Sequence, residues 1–238
     1  MKPSIHRITE GDASLIFGAG ATYTEAMPVL IKHFPQLEEM LDRLGGEQVR
    51  NMGTIGGNIA NGSPIGDMPP PLLVLGGSIV LRKGERRRTV GLDDYFIAYG
   101  KQDREPGEFV ESVTVPYLPA GEEFAVYKIT KRRDEDISAL CGAFRVRLDG
   151  DVVGAVRIAF GGMAATPKHA KAVEAALLGR PWTEATIEAA LPEFAVDFQP
   201  LSDLRASAAY RLLAAQNLLR RFFYETTGVG ARLVREVA

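Results

Sequence analysis

The residues best suited to chemistry lie in one run, Asn51-Met-Gly-Thr-Ile-Gly-Gly-Asn-Ile-Ala-Asn-Gly-Ser-Pro-Ile-Gly-Asp67. Glycines let backbone come close to a ligand, and successive N–H groups in such turns form nests for anionic or carbonyl oxygens. Thr54, Asn58, Asn61, Ser63 and Asp67 place polar groups at short intervals through it. That combination suits a polyhydroxylated, phosphorylated cofactor, held without the lysines of a simple phosphate grip. The run suits equally a glycine-stabilised turn packed under a sheet, since Ile55, Ile59 and Ile65 want burial. The residues alone leave both readings open.

Other candidates are weaker. Gly18-Ala19-Gly20 follows an apolar run and precedes a helical pattern, but Tyr23 stands where a dinucleotide fingerprint has its third glycine. No acidic residue follows at the ribose-binding distance, so a tight strand-to-helix turn is the better reading. His6, His33 and His169 are far apart, without neighbouring ligands at metal spacing, and read as surface or loop residues. Cys141 precedes an apolar strand and reads as a buried small residue. With no triad, carboxylate pair or zinc spacing, any catalysis here needs a cofactor to supply the chemistry.

The totals narrow the partners. The chain has 238 residues, 46% hydrophobic and 24% charged, with a net charge of −2, which gives no electrostatic reason to expect nucleic acid or an anionic membrane. One cysteine excludes an internal disulfide and an iron–sulfur cluster held by this chain alone. The longest apolar stretch, Pro69 to Leu81, is too short to span a bilayer, and the N-terminus lacks a signal-peptide core. A cytoplasmic location is expected.

Elements must position the run. Ser14 to Phe17 reads as a strand. Thr22 and Glu25 have capping-box spacing for a helix through His33. Leu37, Met40, Leu41 and Leu44 predict a second helix that stops near Gly45-Gly46. Five glycines and four prolines over 50–71 predict neither a regular helix nor a central strand there. Strands are expected over Ser78 to Arg82 and Phe109 to Val115, with Arg86, Arg87 and Arg88 at a hairpin edge facing water and a linker from Pro116 to Gly121. Asp149-Gly150 between two alternating runs is a hairpin signal. Lys168 to Leu178 and the stripe Leu204, Ala208, Leu212, Ala215, Leu219, Phe222 predict two further helices.

At residues 50–67 the chain resembles the second flavin-contacting motif of the xanthine dehydrogenase and carbon monoxide dehydrogenase flavoprotein family. Similarity continues through Tyr95 to Arg104, Pro106 to Val110, Lys128 to Ile137 and Phe160 to Ala164, and the details look closest to the small subunits of bacterial xanthine dehydrogenases. The resemblance implies an α+β protein: a PCMH-type FAD-binding α/β subdomain over 1–118, then a CO dehydrogenase flavoprotein C-terminal-like domain over 122–230, an antiparallel sheet packed by helices. It implies that Thr54, Gly57 and Asn58 contact the flavin nucleotide's phosphates and sugar, with Asn61 and Ser63 extending that surface. Asp67 matches a residue that hydrogen-bonds the ribityl chain, and Leu44 one that packs near the adenine. Val110 falls where backbone meets the isoalloxazine ring, and Lys128 where a lysine approaches it. A cation there favours the anionic reduced flavin; the alternative is an exposed strand lysine.

Such enzymes carry electrons from a molybdenum cofactor on a large subunit through two 2Fe-2S clusters to FAD and then NAD. The implied partners are the molybdenum-binding large subunit and an iron–sulfur domain or subunit. The family's first glycine-rich loop, which clasps the pyrophosphate, is expected upstream of the strand at which this chain begins, so the FAD site is expected to be incomplete in it. Two other readings stand beside this one: the medium flavoprotein subunit of a carbon monoxide dehydrogenase-type enzyme, and a cofactor-free docking fragment for the molybdenum subunit.

Overall fold

The computed structural model describes residues 4–228; the expected outer domain limits, 1 and 230, fall outside them. β1 (Ile8–Glu10) and β2 (Ser14–Gly18) are antiparallel, and β2 runs through a tight turn into α1 (Tyr23–His33). The capping box is present: Glu25 N donates to Thr22 Oγ1 at 3.2 Å and Thr22 N to the Glu25 carboxylate at 3.0 Å. A short 3-10 turn and α2 (Glu38–Asp42) bury Leu37, Met40 and Leu41. The chain then reverses at Gly45, whose φ of +58° glycine alone adopts without penalty.

The next stretch departs from expectation. Residues 50–71 are largely helical, in α3 (Glu47–Met52), α4 (Ile55–Asn61) and α5 (Pro69–Val74). Position explains this. Pro69, Pro70 and Pro71 fill the first turn of α5, where a missing N–H breaks no helical bond. Gly62 stops α4 at φ +60°. Within α4, Gly56 lies against the β2–α1 turn, where an added Cβ would stand 2.4 Å from Ala19 Cβ. Close packing here outweighs the poor helix propensity of glycine.

β3 (Ser78–Lys83) and β4 (Arg86–Gly91) form a hairpin, followed by α6 (Leu92–Tyr95), the small pair β5 (Phe96–Ala98) and β6 (Lys101–Gln102), and β7 (Phe109–Pro116). Among the described residues the first sheet has the order β1-β2-β7-β3-β4, with every neighbour antiparallel. The arginines of edge strand β4 are ion-paired: Arg86 with Glu105 and Glu108, Arg87 with Glu111, and Arg88 with Asp103 and Glu108. Hydrogen bonds from Arg88 above all, then from Glu105 N and Arg86, hold the Glu108 carboxyl down at about 2. A depressed carboxylate stabilises the fold above its ordinary value, near 4.5, and loses that contribution as pH falls toward 2. Glu108→Gln is therefore expected to flatten the acid limb of stability against pH, followed by urea unfolding; an unchanged slope between those values would refute it.

The second sheet comprises β8 (Glu122–Ile129), β9 (Leu140–Asp149), β10 (Val152–Gly161) and β11 (Lys168–His169), in the order β11-β10-β9-β8. The Asp149-Gly150 hairpin forms, with Gly150 at φ +66°. α7 (Lys171–Leu177), α8 (Glu184–Ala190), α9 (Phe194–Asp197) and α10 (Ala208–Thr226) follow. Lys168 and His169 form a strand rather than the start of a helix, because they pair with Ala159 and Phe160. Leu204 lies ahead of α10 and is exposed. No described helix is long and apolar enough to cross a membrane.

The second sheet is a wall shared by two cores. Phe124, Val126, Cys141, Ala143 and Ala159 join the core of the first domain, while Tyr127, Leu140, Phe144, Ile158 and Phe160 join that of α7–α10. Residue alternation along each strand produces this division. His169, expected at the surface, is buried at the junction. It lies 2.9 Å from both Asp93 of α6 and Glu174 of α7, and Arg157 pairs with the same Asp93.

Candidate functional site

The polar residues of 54–67 are arranged by α4 and the turn after it. Thr54 Oγ1 caps α4 by accepting from Gly57 N at 2.9 Å, and Asn58 N returns to Thr54 O at 3.0 Å. Gly53, Gly62 and Gly66 donate to Val49, Ile59 and Ser63 carbonyls. The expected nest is thus only partly realised, because most of these N–H groups close local turns. What remains outward is different in kind. Gly57 is exposed, and Asn58 Oδ1 is buried with no hydrogen-bond partner among the described residues. Asn61, the last residue of α4, is exposed, and its carbonyl accepts from Gln102 Nε2 at 3.4 Å. Ser63 Oγ accepts from Ile65 N at 3.3 Å.

From Ser63 on, the run belongs by contact to the second sheet. Gly162 N donates to Pro64 O at 2.6 Å, and the backbone of Gly161 meets Pro64 and Gly66 so closely that a Cβ there would lie 3.2 Å from both carbonyls. Asp67 follows, nine-tenths buried. Its Oδ2 takes Lys128 Nζ of β8 at 2.5 Å, and its Oδ1 takes Ser138 Oγ at 2.5 Å. Cys141 Sγ lies 3.8 Å from the Asp67 carbonyl, and burial, then the Asp67 charge, push its thiol well above the usual range, so it is no nucleophile. Lys128 is not the exposed strand lysine of the alternative reading, since its ammonium is almost fully buried. Its carbonyl is tied to α2's end by Arg43 Nη1 at 3.1 Å, and Arg43 also reaches Thr130 Oγ1 and Arg133 O.

The structure therefore brings Asp67 and Lys128 into contact and puts Leu44, buried, one residue from Arg43. Val110 is buried on β7 opposite Leu81, next to Glu111, whose carbonyl takes Ala19 N at 2.9 Å. It belongs to the α4–β2 side of the junction, away from the contacts that hold Asp67. Sequence reasoning missed Ser138. Its signal is its place, just after the 130–137 loop that begins two residues beyond Lys128.

Residues 3–118 match the family described as FAD binding domain in molybdopterin dehydrogenase, and 125–226 the CO dehydrogenase flavoprotein C-terminal domain. A chain of carbon monoxide dehydrogenase from Hydrogenophaga pseudoflava superposes with a TM-score of 0.85 at 31% identity, over 92% of this chain and 77% of that one. The chain belongs to this flavoprotein family. The nicotinate dehydrogenase FAD-subunit of Eubacterium barkeri is 30% identical over 87% of this chain and 72% of its own. Xanthine dehydrogenase/oxidase of Gallus gallus is 32% identical over 78% of this chain, which spans only 15% of that protein's length. The two-domain arrangement expected for the flavoprotein family, a first sheet with helices and a second antiparallel sheet packed by helices, is the one observed.

The polar residues present fit the hydroxyl-bearing part of a flavin nucleotide. Asn58 Oδ1 is an orphaned buried acceptor, which a ligand hydroxyl would satisfy. Asp67 uses one lone pair on each oxygen for Lys128 and Ser138 and keeps further acceptor capacity.

Proposed function

We propose that the chain binds FAD where its two domains meet and acts as the flavin-bearing electron-transfer component of a xanthine dehydrogenase-type molybdenum hydroxylase. The observation that carries this reading is the Asp67 carboxylate. It lies at the end of the glycine-rich motif of one domain and is gripped by Lys128 and Ser138 of the other. In this reading Thr54, Gly57 and Asn58 hold the phosphate and sugar side, with Asn61 and Ser63 extending it. Leu44 packs near the adenine, Asp67 accepts from the ribityl chain, and Val110 and Lys128 flank the ring.

Lys128 acts mainly through Asp67. Paired at 2.5 Å, the two charges cancel at a distance, so the lysine orients the carboxylate more than it adds an unbalanced positive field. FAD, when bound, supplies the step between one-electron carriers and a two-electron acceptor. The one-electron carriers are 2Fe-2S clusters, which would take electrons from the molybdenum cofactor; both would lie on partner chains or segments, with NAD as acceptor. A second reading, the medium subunit of a carbon monoxide dehydrogenase-type enzyme, is supported by the structural likeness to that enzyme's chain.

The test is direct. Purified chain titrated into FAD should quench flavin fluorescence, and the bound flavin should show visible absorbance that anaerobic NADH bleaches. Binding without bleaching by NADH favours the carbon monoxide dehydrogenase-type reading. No quenching sinks the flavin reading of this chain and leaves a cofactor-free docking role.

A further inference from the structure

Tyr23, the first residue of α1, carries a hydroxyl that the fold does not use. The side chain is buried, and its OH has no hydrogen-bond partner among the described residues. Its backbone is pinned to the glycine-rich run, with Tyr23 N donating to Gly53 O at 2.9 Å. The ring lies over Gly53, where a Cβ would stand 3.3 Å from Cδ2. The group senses the Asp67 charge. Burial first, and that charge second, raise the phenol far above its usual range, so it stays neutral and keeps its proton to donate.

A buried donor without an acceptor destabilises the empty protein, and phenylalanine would fill the same space without that cost. A hydroxyl kept there is explained by a group from outside the chain. Asn58 Oδ1 is a second buried orphan in the same region. It lies 3.3 Å from the Cβ position of Gly66, the residue before Asp67. A neutral donor against Gly53, a neutral acceptor against Gly66 and the Asp67 carboxylate thus lie along one glycine-rich run. That set complements a chain of hydroxyls, each of which donates one hydrogen bond and accepts others.

We propose that Tyr23, together with Asn58 and Asp67, completes a subsite for the polyol chain of the flavin, with the Tyr23 hydroxyl donating to a ligand hydroxyl. This rests on the flavin reading above and extends it to a residue outside the glycine-rich motif.

Tyr23→Phe in the full chain separates a ligand contact from a packing role. FAD, riboflavin and lumiflavin are titrated by fluorescence quenching, and thermal unfolding is followed without flavin. The expected result is about five- to tenfold weaker binding of FAD and of riboflavin, the effect of one hydrogen bond. Lumiflavin, which has the ring system and no polyol, should bind as before, and the flavin-free variant should melt no lower than the parent. Unchanged affinity for FAD and riboflavin overturns the proposal and means that a water satisfies the phenol. So does an equal loss for lumiflavin, or a lowered melting temperature with the loss. If the parent chain binds none of the three, the flavin reading itself fails; if the parent binds and the variant binds equally, only the role of Tyr23 fails.

Discussion

Asp67→Ala is expected to lower the unfolding free energy by about 3–5 kcal/mol, because it leaves the Lys128 ammonium buried without its counter-charge. That exceeds the roughly 1 kcal/mol expected of one lost hydrogen bond. Ser138 would lose its acceptor as well. The double variant Asp67→Leu/Lys128→Met should recover most of this stability, since an apolar pair of similar volume has no desolvation cost to offset. Flavin retention should not recover with it. Urea unfolding and FAD quenching on the single and double variants therefore report separate quantities. If the alanine variant unfolds within about 1 kcal/mol of the parent, the pair is effectively solvated, as surface pairs are. If the double variant regains flavin along with stability, the carboxylate has no role in binding.

Gly56→Ala should be nearly as damaging, with no charge involved. The new Cβ would lie 2.4 Å from Ala19 Cβ, 2.5 Å from its Cα and 2.7 Å from its carbonyl oxygen. Two of those three atoms are backbone, so no rotamer change relieves the clash, and α4 must move off the β2–α1 turn. Overpacking of this kind costs about 1–3 kcal/mol, sometimes more, and the backbone contacts place Gly56 at the upper end. Gly84→Ala is the control. Its φ is +58° and nothing lies within 4 Å of an added Cβ, so it should cost about 1 kcal/mol, the left-handed backbone penalty. Equal urea midpoints for the two variants would show that α4 is not held against that turn.

The parts of the fold legible in the sequence were those written locally. Thr22 and Glu25 announced a helix start three residues apart, and Asp149-Gly150 a hairpin, because both signals are closed within a few residues. The helices of 50–71 were hidden by composition. Propensity counts glycine and proline as breakers, whereas here Pro69 to Pro71 sit in a first turn and Gly56 is required by Ala19, a residue 37 positions earlier. The site divided the same way. Residues 50–67 stood out as a run, but the pairing of Asp67 with Lys128 and Ser138 spans 61 and 71 residues, and no local pattern encodes it. His169 was misplaced for a related reason: its surroundings come from Asp93, Glu174 and Arg157, on three other elements.

The short helix α5 is fastened at both ends to the second sheet. Asp67, just before it, is held by Lys128 and Ser138. At its other end Arg157 Nη2 donates to Leu73 O at 2.9 Å and Arg145 Nη1 to Val74 O at 3.2 Å, the favourable place for a cation on a helix. Six residues at 1.5 Å each make it a strut of about 9 Å. Chain order assigns that strut to the first domain, yet its bearings are in the second. The first domain expressed alone would keep every residue of the glycine-rich motif and still lack the geometry that aims its carboxylate. Heredity of the site therefore follows the sheet: substitutions in β8, β9 or β10 that reset the strut's tilt would alter ligand affinity as surely as changes in the motif itself.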